Sequence, residues 1–318
     1  MIEYNDLTIR DGCHAISHNL TRDMIKKQCE FVEKTNIPVM EIGHGNGLGA
    51  SSISIGESTL SDTEMITLAR SYLKNTKLSV HVIPGIATIN RDINPAIENG
   101  VDIFRIASHC TEASMTKSHI EYIKSKNKTV YGALMMCATC SLDTLFSEVE
   151  KLKSYGADAV IIMDSTGSFL PEQVKECFIK LSEIDIKLGF HAHNNLSLAV
   201  ANSLIAIQHG ASIIDVTVNG FGAGAGNTPL EIMTAIHSSN NINVMDHIEK
   251  LEYKSPKIKL INILTAKNNL HSVFEKEILY SAKKYNIKIP NLVKELGNRK
   301  LVAGQEDLVR VIASQMVE

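Results

Sequence analysis

The stretch "KLGFHAHNNLSLAVANSLIAIQHGASIIDVTV" (187–218) decides how this chain folds. Its two ends, "KLGFHAH" (187–193) and "SIIDVTV" (212–218), are short apolar runs bounded by turn residues. Between them "LSLAVANSLIAIQHG" (196–210) carries a helical pattern and stops on a glycine, as a helix should. Continuous apolar runs suit strands buried on both faces, and joining two of them through a helix makes a parallel βαβ unit. The same alternation recurs along the chain. Further candidate strands are 2–9, 38–44, 77–84, 102–108, 129–136 and 159–165, with helical patterns such as "TRDMIKKQCEFVEKT", "RDINPAIENG" and "LDTLFSEVEKLKSYG" between them. Eight strands with intervening helices predict an α/β fold, a closed (β/α)8 TIM barrel. No GxGxxG follows the first strand, which argues against a dinucleotide-binding open sheet. The Gly-rich "GFGAGAGN" (220–227) instead follows the eighth strand, where barrels place binding loops. Beyond about residue 245 the periodicity is helical. The expected division is therefore a metal-dependent catalytic barrel over 1–245 and a small helical C-terminal domain over 246–318.

The composition supports a large buried core and excludes several partner classes. Of 318 residues 44% are hydrophobic, the net charge is −3, and mean hydropathy is +0.01. Neither nucleic acid nor a membrane surface is called for by that balance, and no run approaches the roughly 18 apolar residues of a membrane span. The chain opens on charged residues rather than an apolar leader, so a cytoplasmic setting with reduced thiols is expected for its six cysteines. Cys137 and Cys140 form a lone CxxC, too few ligands for a zinc site, and are read as pocket wall or core with Met135 and Met136.

In a barrel the C-terminal ends of the strands share one face, and that face carries the chemistry. Polar residues predicted there are Arg10, Asp11 and His14; His44; His109 and Glu112; Asp164, Ser165 and Thr166; His191 and His193; Asn219 and Asn227. His44 and His109, taken singly, fit hydrogen-bonded structure better than a pocket mouth. The histidine pair is different. Alternation puts His191 and His193 on one side of their strand, about 7 Å apart along it. Two imidazoles and one carboxylate, supplied by Asp11 from a nearby strand, make a divalent-metal site, and mixed N and O ligands disfavour Ca²⁺. Arg10 beside such a site suits an oxygen gaining negative charge, and His14 is placed to move a proton. The residues thus suggest C–C bond chemistry next to a carbonyl.

"LTIRDGCHAISHNLT" (7–21) and "HAHNNLSLAVANSLIAIQHGASIIDVTVNGFGAGAGNTPLE" (191–231) closely resemble the 4-hydroxy-2-oxovalerate aldolase family, pyruvate-dependent class II aldolases of the HMG-CoA lyase-like metallolyase superfamily. "GHGNGLGASS" (43–52), "PGIATI" (84–89), "RIASHCTEA" (105–113), "GALMM" (132–136) and "ELGNRKLVAGQED" (295–307) extend the likeness into the tail. The resemblance implies metal ligands at Asp11, His191 and His193, with Asn227 an optional fourth or an outer partner. It implies enolate stabilisation by Arg10 and acid–base work by His14. Mn²⁺ is the ion it implies first, with Zn²⁺, Co²⁺ or Mg²⁺ as alternatives. The implied reaction exchanges a 4-hydroxy-2-oxoacid with pyruvate and an aldehyde. Ser165 and Thr166 fit contacts to the pyruvate carboxylate, and equally fit a cap on the following helix.

Two departures stand out. Where the family has a tyrosine that orients the catalytic histidine, the stretch "TAKNNLHSVF" (265–274) places His271. The stretch from roughly 240 to 262 is shorter than the family norm. The resemblance implies a homo-oligomer and an acylating aldehyde dehydrogenase docked on the helical domain, and the shortened stretch speaks against that partnership. Two other readings remain: a related metallolyase or synthase with another acceptor or an acyl-CoA substrate, and a barrel without catalysis.

Overall fold

The computed structural model describes residues 2–237 and 243–317. Residues 238–242, which open the stretch read as shortened, lie outside the described residues. Eight parallel strands close into a barrel in sequence order, with the first paired to the eighth. They are β1 (Glu3–Asp6), β2 (Val39–Ile42), β3 (Lys77–Val82), β4 (Ile103–His109), β5 (Thr129–Met135), β6 (Ala159–Asp164), β7 (Lys187–Ala192) and β8 (Ala211–Val216). Each lies within or one residue from the span its apolar run predicts.

The helices follow in turn: α1 (Arg22–Thr35), α2 (Asp62–Tyr72), α3 (Asn94–Glu98), α4 (Lys117–Ser125), α5 (Leu142–Ser154), α6 (Pro171–Leu181), α7 (Ala199–Gln208) and α8 (Leu230–Ile236). Their starts are chemically marked. Thr21 caps α1, Ser141 caps α5, and Ser61 with Glu64 closes a capping box on α2. Gly100, Gly156 and Gly210 end their segments at φ of 88°, 101° and 113°, where a side chain would be strained.

Two apolar layers hold the barrel. Outside it, the helices pack on the sheet through residues such as Ile25, Val149, Phe178 and Phe190. Inside, Val39, Ile103, Tyr131, Ile161 and Ile213 form a separate cluster. Each of those interior positions is followed two residues later by one nearer the catalytic face. On β2, β4 and β8 these next positions are Glu41, Arg105 and Asp215, all buried. The barrel interior is thus apolar toward its N-terminal end and charged toward the other.

After the barrel come a short turn of helix α9 (Met245–Ile248) and the helices α10 (Leu260–Lys267), α11 (Glu275–Lys284), α12 (Ile289–Asn298) and α13 (Leu308–Gln315). The last four share their own core, including Leu270, Phe274, Ile278, Leu292, Leu296 and Val309. No helix among the described residues is long and apolar enough to cross a membrane.

Candidate active site

Arg10 and Asp11 are not at the end of a strand, as the sequence suggests, but four and five residues beyond it. Strand β1 stops at Asp6, whose carboxylate accepts from Thr8 N at 2.8 Å and turns the chain. A short 3-10 helix, Asp11–Ile16, then carries Asp11 and His14. It ends in two consecutive left-handed residues, Ser17 at φ 51° and His18 at φ 62°, a conformation that costs free energy for non-glycine residues. Two strands away around the ring, β7 shifts register against β8 between Leu188 and Gly189, just ahead of the histidine pair. Such an irregularity re-aims the side chains that follow. His193 lies just past β7, in an isolated bridge with Asn227 of the Gly-rich loop.

These devices bring the predicted ligands together. One ligand atom each from Asp11, His191 and His193 lies within 4.8 Å of the others, and all three residues are buried. The Nε2 atoms of the two histidines face each other at 3.4 Å. His191 Nδ1 lies 3.0 Å from Asp215 Oδ2, so Nδ1 carries the proton and Nε2 presents its lone pair. Burial lowers His193 to a pKa of about 3, which keeps that imidazole neutral. Burial pushes the Asp11 carboxyl up, but Arg10, His193, His191 and His14 together hold it well below the usual carboxylate range. A carboxylate and two imidazoles this close suit a divalent cation of the first transition row. Asn227 Nδ2 donates to Asp11 Oδ2 at 2.6 Å, leaving its own Oδ1 buried without a partner.

Arg10 is clamped on two of its three nitrogens. Nε donates to Glu41 Oε1 at 2.6 Å, and Nη1 to Asp11 Oδ1 at 2.9 Å and Gly45 O at 3.3 Å. Nη2 is buried with no partner. A buried guanidinium nitrogen left free beside a metal site is a donor held ready for an oxyanion. His14 packs on Gly45 so closely that a Cβ there would lie 2.5 Å from His14 Nε2. Burial lowers the His14 pKa, so the ring is held as a neutral base.

His271 faces the site from the helical region, its ring 6.5 Å from that of His193. Val273 N donates to its Nδ1 at 3.1 Å, which puts the proton on Nε2. Burial, and then the neighbouring His14, lower its pKa to about 4. The same region presses on the Gly-rich loop: a Cβ on Gly224 would lie 3.0 Å from Ser272 Cβ. Beside this contact a cavity of about 560 Å³ opens against Gly222 and Gly224, lined also by Tyr253, Asn262 and Glu275.

The other predicted residues have protein partners of their own or lie exposed. Ser165 and Thr166 do not cap α6, whose N-cap is Leu170. Ser165 Oγ accepts from Met136 N at 3.0 Å, and Thr166 Oγ1 lies 2.6 Å from Ser168 Oγ. Asp164 binds the same loop through Ser168 N, and burial raises its pKa to about 6. Both nitrogens of His44 are engaged, with Gly56 O at 3.1 Å and Asn46 N at 3.0 Å, in the structural role expected. His109 pairs with Thr111, and Asn219 donates to Tyr253 O. Glu112 is exposed. Cys137 is buried, Cys140 half-buried, and neither is disulfide-bonded.

Glu41, Arg105 and Asp215, which join the two halves of the site, were not among the predicted residues. Their signal was present: an ionisable residue inside an apolar parallel strand must find a buried partner.

A (β/α)8 barrel with a candidate divalent-metal site is what this fold and site define, and comparison with known proteins supplies the lyase class. Residues 1–255 match the HMGL-like family, and residues 267–318 match the DmpG-like communication domain. The chain is 42% identical to 4-hydroxy-2-oxovalerate aldolase of Pectobacterium atrosepticum, over 98% of this chain and 95% of that one. It is 43% identical to the enzyme of the same name from Spirochaeta aurantia, with the same coverage. The chain belongs to the HMGL-like family and, within it, to the 4-hydroxy-2-oxovalerate aldolases. The fold extends further: the carboxyl transferase domain of Rhizobium etli pyruvate carboxylase superposes with a TM-score of 0.78 at 15% identity, over 99% of this chain and 60% of that one.

Proposed function

We propose that this chain is a divalent-metal-dependent aldolase that cleaves and forms the C3–C4 bond of a 4-hydroxy-2-oxoacid, exchanging it with pyruvate and an aldehyde. The observation that carries this reading is the meeting of Asp11, His191 and His193 beside the free Nη2 of Arg10. Those three residues would hold the ion, with Asn227 Oδ1 as an optional fourth donor. Mn²⁺ is the first choice, and Zn²⁺, Co²⁺ and Mg²⁺ are alternatives. When bound, such an ion supplies Lewis acidity to the 2-keto group.

The chain's own residues do the rest. His14, neutral through burial, takes the proton from the C4 hydroxyl. The C3–C4 electrons pass to C3 and the keto oxygen, giving the pyruvate enolate and releasing the aldehyde. Arg10 Nη2 donates to the oxygen as charge builds there, a contribution of roughly 3–4 kcal/mol for a properly aimed donor. Protonation at C3 then gives the methyl group of pyruvate. His271 would offer its Nε2–H to the site in place of the family's tyrosine, and Ser165 and Thr166 would stand by the substrate carboxylate.

The catalytic domain is assigned to 1–245 and the helical domain to 246–318. The communication-domain match over 267–318 supports an acylating aldehyde dehydrogenase as partner, despite the rewritten 240–262 stretch. A homo-oligomer in the cytoplasm completes the reading. The test is direct: metal-stripped protein is supplied with pyruvate, an aldehyde panel and Mn²⁺. Condensation that needs the ion supports the aldolase. Turnover of an acyl-CoA, with no product from any aldehyde, overturns it.

A further inference from the structure

A continuous path of buried charges runs across the barrel from Arg10 to His191. Arg10 Nε binds Glu41 Oε1 at 2.6 Å. Glu41 Oε2 lies 3.1 Å from Arg105 Nε, an ion-pair contact rather than an aligned hydrogen bond. Arg105 then grips Asp215 with both terminal nitrogens, Nη1 on Oδ2 and Nη2 on Oδ1 at 2.8 Å. Asp215 Oδ2 finally meets His191 Nδ1 at 3.0 Å. Arg105 comes from β4 and Asp215 from β8, on opposite sides of the ring. The Arg105 side chain is 1% exposed.

A buried ion network of this kind is not explained by stability. Removing charges from water costs so much that well-packed apolar residues would serve the barrel as well or better. What the network does have is two ends, and each end is a site residue. Glu41 gives one oxygen to Arg10 and turns the other to Arg105. Asp215 accepts a hydrogen bond from His191 Nδ1–H, which fixes the tautomer that presents Nε2 to an ion. Glu41 and Asp215 are both carboxylates, and between them stands one planar guanidinium with donors in a fixed fork. A lysine ammonium is a point charge and cannot span both.

We propose that Arg105 is a positioning residue for both halves of the site: through Glu41 it fixes the guanidinium of Arg10, and through Asp215 it fixes the imidazole of His191. It touches neither ion nor substrate. This inference rests on the proposed roles of Arg10 and His191.

The experiment compares full-length wild type with R105K, E41Q and D215N in two readouts. One is the Mn²⁺ dissociation constant of metal-stripped protein, measured by electron paramagnetic resonance without substrate. The other is kcat at saturating Mn²⁺. R105K raises the dissociation constant about 10–100-fold and also lowers kcat about tenfold or more. E41Q lowers kcat while its Mn²⁺ affinity stays within about threefold of wild type, and D215N weakens Mn²⁺ binding about 10–100-fold. A folded R105K with wild-type values in both readouts, or one altered only in Tm, overturns the proposal. Should R105K not fold, E41Q and D215N decide it: losses at their own ends support it, and wild-type values at either end overturn it. Wild-type protein that binds no Mn²⁺ removes the site reading itself, an outcome distinct from R105K matching a wild type that does bind.

Discussion

Arg10 Nη2 is a buried donor without a protein partner, on a guanidinium whose other nitrogens are held by Glu41, Asp11 and Gly45. Arg10→Ala should therefore reduce kcat by about 10²–10³ at saturating Mn²⁺. Steady-state kinetics checks this, and a loss under tenfold would remove Arg10 from its role. His271 is argued differently. Its Nδ1 is taken up by Val273 N, so only Nε2–H is available to the site. His271→Phe keeps a ring of similar shape but removes that donor, and one lost hydrogen bond near the reacting groups corresponds to about a tenfold lower kcat. Unchanged turnover in a folded variant would reduce His271 to packing.

At the scale of elements, two glycines let loops approach the site more closely than any side chain permits. A Cβ on Gly45 would reach to 2.5 Å from His14 Nε2. Gly45→Ala should push His14 aside and cut kcat about a hundredfold, the lower end of what a general base contributes. Calorimetric titration should show Mn²⁺ still binding, because Gly45 adjoins no ligand. Gly222 gives the converse case. A Cβ there would sit 2.5 Å from Asp11 Oδ2 and against Asn227 Nδ2. Gly222→Ala is expected to weaken Mn²⁺ binding first, and a variant with wild-type affinity would contradict the placing of Asp11 among the ligands.

At the scale of the whole molecule, burying so many imidazoles makes stability depend on pH. His18 and His271 are both lowered from 6.5 to about 4 by burial, reinforced by neighbouring histidines. Between those values each of these two rings binds more protons in the unfolded chain than in the folded one, an effect that the raised Asp164 carboxyl partly offsets. Stability therefore rises with pH across the window and falls as the metal-free protein is acidified from 6.5 toward 4. Thermal melts should show Tm dropping through that range, and a flat profile would mean these rings are not held neutral. The proposed Mn²⁺ site has its three ligands together only in the folded chain, so a concentration of about 100 times the dissociation constant should add about 2.7 kcal/mol of stability. Melting with and without Mn²⁺ measures it.

The βα alternation, the eight strands and the separate helical tail were readable from sequence, because hydrophobic periodicity is a local property that each segment carries by itself. Asp11, His191 and His193 were readable as well, through residue type and nearness to strand ends. The bend at Asp6 that carries Arg10 and Asp11 beyond β1 was not, nor was the shift in β7 before His191. Both depend on how a closing barrel meets itself. Ser165 and Thr166 looked equally like a helix cap, and only the start of α6 at Pro171 excludes that. Sequence determined which residues could do the chemistry. The tertiary structure decided which of them meet, because Glu41, Arg105 and Asp215 acquire partners only when strands far apart in the chain close into one ring.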